Sequence, residues 1–167
     1  ELLDILSLSE KERTLSLQMI FKRDIEENPD LNFRSKKIRP IKGEEPEMQL
    51  LFRHLTTEEI EVNEEGSTYC KRVFEKERSQ RLHWIRYHLE EHKKDNIEIF
   101  SVKTRDQKKR QDIIRTYIYD KEQKYVIVLD PHRSRRDYYL LTAYHLNKGY
   151  GEKQLLKKLK NKLPDIQ

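Results

Sequence analysis

The chain has little cysteine, little glycine and no long apolar run. One cysteine, Cys70, in 167 residues excludes an intramolecular disulfide framework and a Cys-rich structural zinc site. The four glycines form no Gly/Ser linker, and no P-loop, G-x-G-x-x-G or G-x-S-x-G motif occurs. No stretch of about 18 apolar residues exists, so no membrane partner is expected. No basic-then-apolar leader opens the chain. The expectation is a cytoplasmic protein whose start, Glu1 in place of methionine, has been trimmed.

Charge is what the chain has in quantity. Charged residues make up 39% and hydrophobic ones 35%, against about 25% and 45–50% in an average domain. Lys+Arg 35 against Asp+Glu 30 leaves a net charge of only +5. That is too small to impose disorder, and the apolar residues are clustered. One domain with a lean core is expected. The pI near 9.1 speaks about partners. Basic residues gather at Lys36, Lys37 and Arg39, at Lys103 to Arg110, at Arg133, Arg135 and Arg136, and at Lys157 to Lys162. With aromatic neighbours, these runs point to a nucleic-acid polyanion.

Ser9 with Glu12 is a capping box, and Leu17, Ile20, Phe21 and Ile25 follow at helical spacing up to Asn28-Pro29. Residues 32–48 read as extended or looped, and Gln49 to His54 as a short apolar helix or strand. Glu58 to Tyr69 is polar, with a turn at Glu65-Gly66. A long helix is expected over 71–92. Strands follow around Ile97 to Phe100, Ile113 to Tyr119, Tyr125 to Leu129 and Tyr138 to Leu146, joined as an antiparallel meander. A last helix over 152–163 carries Leu155, Leu156, Leu159 and Leu163 on one stripe. The fold class is α+β: N-terminal helices packed on a roughly four-stranded antiparallel sheet, with a C-terminal helix. Residues 1–30 read as a helical extension and 31–167 as the main domain.

On the 71–92 wheel, Phe74, Leu82, Ile85 and Leu89 span an arc of roughly 80°. Arg78 and Arg81 fall on or beside it, His88, His92 and Trp84 lie near its other edge, and His83 and Arg86 point elsewhere. An arginine in an apolar stripe needs a carboxylate or an anion-binding cleft. The last strand supplies a facing surface. Simple alternation puts Leu140, Thr142 and Tyr144 on one side and Leu141, Ala143 and His145 on the other. Arg115 and Tyr117 share a face of an earlier strand. Guanidinium groups, hydroxyls and rings would together make an RNA-sized cleft, since tyrosines stack bases.

His88 to His92 matches H-x-x-E-H, which would place two histidines on one zinc, but no third ligand is evident. Cys70 with His54 could be drawn as a thiol–base pair, though nothing places them together. No carboxylate cluster suits two-metal chemistry. Metal-free RNA cleavage remains, with no cofactor. The 2′-hydroxyl is the nucleophile, and the protein supplies a base, an acid and cations.

The segments Arg78-Ser-Gln-Arg81-Leu-His-Trp-Ile-Arg86, Arg115-Thr-Tyr-Ile-Tyr-Asp120, Tyr125-Val-Ile-Val-Leu-Asp130 and Tyr138-Tyr-Leu-Leu-Thr-Ala-Tyr144 resemble the phage-associated nuclease domains of the barnase–EndoU–colicin–RelE-like superfamily. Lys37-Ile-Arg-Pro-Ile41 and Leu51-Phe-Arg-His-Leu-Thr56 resemble segments that accompany that core. The resemblance covers residues 33–163. It implies a metal-independent ribonuclease of toxin or phage-conflict type that leaves a 2′,3′-cyclic phosphate. It also implies His54 as acid or base, Arg81 and Arg115 as phosphate cations, and Thr142 and Tyr144 as phosphate-orienting or proton-transfer groups. Arg78, His83, Trp84, Arg86, Tyr117, Arg133, Arg135 and Arg136 are the candidate RNA contacts. A basic cleft implies an acidic inhibitor protein as a further partner. An RNA-binding module without chemistry, or a phage-associated interaction protein docking through its first 30 residues, would carry much of the same pattern.

Overall fold

The computed structural model describes residues 1–41, 46–131 and 136–167. Helix α1 (Glu10–Phe21) starts at Ser9, whose side chain accepts from the Glu12 N–H while Glu12 reaches back, and it runs into a π-helical turn (Lys22–Glu26). Strands β1 (Asn32–Phe33) and β2 (Lys36–Pro40) precede helix α2 (Glu47–Thr56). A ribbon of β3 (Thr57–Glu64) and β4 (Ser67–Phe74) follows, then helices α3 (Lys76–Ser79) and α4 (Trp84–Leu89). Strands β5 (Ile97–Asp106), β6 (Gln111–Asp120), β7 (Tyr125–Pro131) and β8 (Asp137–His145) form the meander, and α5 (Gly149–Lys160) closes the chain.

The protein is α+β. Among the described residues the main sheet has six strands in the order β1-β2-β8-β7-β6-β5. The expected four strands are its antiparallel half. The correction to four comes from β2, which runs parallel beside β8 with Ile38 opposite Tyr138, and from β1, which folds back on β2. Phe33 and Ile38 are buried there, so the segment read as a loop has a reason to pair. No described helix is long and apolar enough to cross a membrane.

The expected 71–92 helix is also corrected. Residues up to Phe74 are strand, with Phe74 opposite Thr57 and Val73 opposite Glu58. The helical part is broken into α3 and α4. β-branched and aromatic residues favour the pairing, and Glu65 and Gly66, both at positive φ (49° and 81°), give the two-residue turn its hand. The apolar arc nevertheless survives the break, since Leu82, Ile85 and Leu89 are buried.

The sheet is covered on both faces, which explains the unbroken apolar run of β7. One face carries Ile118, Ile127, Leu129 and Leu140 against Leu51, Leu55, Leu82 and Ile85. Ile5, Leu17, Phe21 and Ile25 of the first 30 residues belong to this same core. The other face carries Phe100, Tyr117, Tyr119 and Val128 against Leu146 and Leu155. Strand β8 departs from simple alternation: Thr142 pairs with Val128 but Leu140 pairs with Leu129, so Leu141 is the extra residue of a bulge. Leu140 and Ala143 therefore join the helix-covered core, and Tyr144 packs on the opposite side.

Asp120 ends β6 fully buried. It accepts from Lys93 Nζ at 2.9 and 3.1 Å and from the Gln123 N–H at 3.0 Å, and it lies 3.0 Å from His88 Nε2. Burial alone would raise its pKa. The hydrogen bonds from His88, the Gln123 N–H and Lys93, with the lysine's charge, hold it below the ordinary value. A depressed carboxylate pKa contributes stability above the unfolded value of about 3.9, and that stability is lost as pH falls through the folded value. Asp120→Asn should destabilise by about 3–5 kcal/mol at neutral pH. It should also flatten the acid limb of a stability–pH curve followed by denaturant titration. An acid limb identical to wild type would rule this account out.

Candidate functional site

The last carbonyls of a helix have no partner within it. At the end of α2 Thr57 covers the Arg53 carbonyl, Ser79 and the Glu75 N–H cover that of Thr56, and an arginine takes that of His54. Arg78 Nη1 donates to the His54 carbonyl at 2.6 Å and to the Thr57 carbonyl at 2.8 Å, and approaches the Thr142 hydroxyl at 3.4 Å. Arg72 reaches the same place, with Nε to the Thr57 hydroxyl and Nη2 to its carbonyl, both at 2.8 Å. Two guanidinium groups thus converge on Thr57. Arg78 Nε is buried without a partner. Burial lowers the pKa of Arg78, opposed by the charge of Glu75, yet arginine stays cationic.

His54 belongs to this cluster. Burial, and then the charges of Arg72, Arg53 and Arg78, keep its pKa below the ordinary value. The neutral ring is therefore favoured at pH 7. Tyr144 lies on the facing strand. Burial pushes its pKa up to about 12, so it keeps its proton and can donate. Arg78 and Tyr144 line one cleft of about 260 Å³ with Glu58, Glu75, His145 and Lys158.

The other expected residues lie elsewhere. Arg81 is buried behind the cleft, donating to the Glu77 carbonyl at 2.8 Å and carboxylate at 2.7 Å, with its guanidinium 5.2 Å from the Trp84 ring. Arg115 is ion-paired to Asp130 at 2.9 Å, beside a separate groove with Ile114, Pro131 and Tyr139. Tyr117 is buried and stacked on Phe100 at 5.2 Å, and its hydroxyl accepts from Lys158 at 3.1 Å. His83, Trp84 and Arg86 line a larger cleft on the other side of the sheet end. Arg136 is exposed, while Arg133 and Arg135 lie outside the described residues.

Of the zinc pattern, His88 has both nitrogens engaged, by the Trp84 carbonyl at 2.8 Å and by Asp120. His92 turns to Glu90 at 2.8 Å. Neither ring is free for a metal. Cys70 stands opposite Glu61, out along the ribbon.

His145 is the residue that sequence reasoning passed over. It lines the Arg78 cleft. Its Nδ1 lies 3.8 Å from Glu77 Oε2 and has no hydrogen-bond partner. Burial, then the charge of Arg81, lowers its pKa. Alternation sets it on the face opposite Thr142 and Tyr144, and it reaches the cleft as the last residue of β8. No protein-family model, curated protein or solved structure matches this chain.

A proton titration of His54 by NMR should give a midpoint below the ordinary value of about 6.5. Arg72→Gln removes a neighbouring positive charge and should move that midpoint upward. An unchanged or lowered midpoint would show that the guanidinium cluster does not act on the ring.

Proposed function

We propose that the chain is a metal-independent endoribonuclease of toxin or phage-conflict type. The observation that carries this reading is Arg78, which lines one cleft with Tyr144 and His145 and gathers Arg72 at Thr57, the Thr142 hydroxyl and a neutral histidine, His54, around it. Cleavage of RNA asks for those groups. His54 takes the proton of the 2′-hydroxyl, whose oxygen forms a bond to phosphorus. The P–O5′ bond breaks, leaving a 2′,3′-cyclic phosphate. Arg78 and the Tyr144 hydroxyl meet the charge that builds on the phosphoryl oxygens. The leaving 5′-oxygen takes its proton from the Tyr144 hydroxyl. The resemblance to the barnase–EndoU–colicin–RelE-like nucleases supports the same reading, and an acidic protein would suit the basic runs as inhibitor.

A second reading has a specific observation in its favour. Arg81 is neutralised by Glu77 and Arg115 by Asp130, so two of the cations expected at a phosphate are already engaged. An RNA-binding module without turnover would tolerate that.

End-labelled RNA incubated in excess EDTA separates the two readings. The nuclease reading expects fragments with 2′,3′-cyclic ends from wild type. It also expects a loss of roughly 10²–10⁴ in rate for His54→Ala, with RNA affinity retained. Because His54 acts as the base, activity should rise with pH through a midpoint below about 6.5. Intact RNA that is nevertheless bound would establish the module reading. Cleavage unaffected by His54→Ala would remove the histidine from the site.

A further inference from the structure

The larger cleft, of about 750 Å³, takes no part in the cleavage reading. It opens between the N-terminal segment, the π-helical turn, α4 and the β6–β7 turn. Three features describe what it would hold. The first is a ring surface that is fixed yet open. Tyr87 is 47% exposed and is backed by the His92 ring at 5.4 Å and 29°. Trp84 beside it is held edge-on to Tyr125 at 5.4 Å, with its Nε1 donating to the Glu1 carbonyl at 3.1 Å.

The second feature is an unused acceptor. His83 Nε2 faces the same Glu1 carbonyl at 3.1 Å. A carbonyl only accepts, so Nε2 carries the proton and Nδ1 is left as a bare acceptor. That Nδ1 is closed off from solvent with no partner, a desolvation cost that a ligand N–H would relieve once the ring turns toward the cleft.

The third feature is exchangeable cationic charge at the rim. The Arg86 side chain is 42% exposed, pairs with Glu90 at 2.7 Å and lies 3.8 Å from Asp24, while Arg23 holds the buried Asp24 carboxylate through two hydrogen bonds and stays there. The solvated Arg86–Glu90 pair is a weak one, so a phosphate can take over the Arg86 guanidinium at little cost. Deeper in, Asp120 keeps Lys93 and the Gln123 N–H and forms a satisfied floor.

We propose that this cleft is a nucleotide site, taking one nucleoside monophosphate unit. Its base lies against the Tyr87–Trp84 rings and gives an N–H to His83 Nδ1, and its phosphate is held by Arg86. The volume lies within the range of small-ligand sites. The unit could be a free nucleotide or an unpaired residue of an RNA chain. The proposal stands apart from the cleavage reading, because the residues differ and its test reads binding alone.

The test titrates wild-type protein with AMP, GMP, CMP, UMP and a short single-stranded RNA. Calorimetry provides one readout and the fluorescence of Trp84, the only tryptophan, the other. Saturable binding of at least one nucleotide is expected, weakened about tenfold or more by Tyr87→Ala and also by Arg86→Glu. His54→Ala, outside this cleft, should leave it unchanged. Mononucleotide binding assigns the site to free nucleotides. RNA binding alone, with the same sensitivity to Tyr87→Ala, assigns it to a residue within RNA. Thermal melts confirm that the variants are folded, and Arg86→Glu serves if Tyr87→Ala is not. No heat and no fluorescence change with any probe at millimolar concentration would overturn the proposal. So would binding indifferent to both substitutions.

Discussion

One guanidinium holds three separate pieces of this chain in register. Arg78 Nη1 ties the end of α2 at His54, the start of β3 at Thr57, and the β8 hydroxyl of Thr142. Each acceptor lies where regular structure stops supplying partners. A carbonyl left unpaired there would cost about 1–3 kcal/mol, so the arginine settles how the helices meet the edge of β8. The edge is open at that point because β2 pairs with β8 only as far as Leu140. The same contact that closes the fold therefore brings the His54 end of α2 against Thr142 of β8.

The rest of the charge is placed by a similar economy. A chain with 39% charged residues and 35% hydrophobic ones cannot keep every charge outside and still cover both faces of a six-stranded sheet. Asp120, His88 and Arg81 are buried, and each has a partner of matching chemistry within 3.0 Å. Buried pairs of this kind add little net stability compared with an apolar replacement, but losing one partner is expensive. They act here as a constraint on which packing is allowed. Glu77 satisfies Arg81 from one turn earlier in the chain, at the i,i+4 spacing, so this charge is neutralised locally before it is buried.

The break between α3 and α4 marks how far the sequence could be read. The meander from β5 to β8, the capping box of α1, the turn at Glu65-Gly66 and the apolar set Leu82, Ile85 and Leu89 all follow from local pattern. Each is decided by neighbours within one element or one turn. Three features are decided by pairing with another strand and left no such trace. β2 is a strand because β8, about 100 residues later, offers it an edge. β4 is a strand because β3 pairs with it. The bulge at Leu141 is set by the register against β7. The candidate site inherits this division. Arg78, Thr142 and Tyr144 were placed on facing surfaces by periodicity and do meet. Arg81 and Arg115 looked equivalent to Arg78 in one dimension, but each found a carboxylate close by. His145 was set aside because alternation puts it on the face opposite Thr142 and Tyr144, and it reaches their cleft only because β8 ends there.

The two clefts at this end of the sheet are divided by a wall of charged and aromatic groups in contact. The Trp84 ring lies 5.2 Å from the Arg81 guanidinium, Arg81 is 2.7 Å from Glu77, and Glu77 is 3.8 Å from His145. Trp84 lines the larger cleft and His145 the smaller one. Arg81 therefore touches the surroundings of both while lining neither. Its removal would leave the Glu77 carboxylate facing His145 without a countercharge, which would raise the histidine's pKa. It would also loosen Trp84. A loss of function in an Arg81 variant would thus arise without any contact between Arg81 and a phosphate. Substitutions away from this wall, at His54 on one side and Tyr87 on the other, separate chemistry from architecture in a way that the most buried arginine cannot.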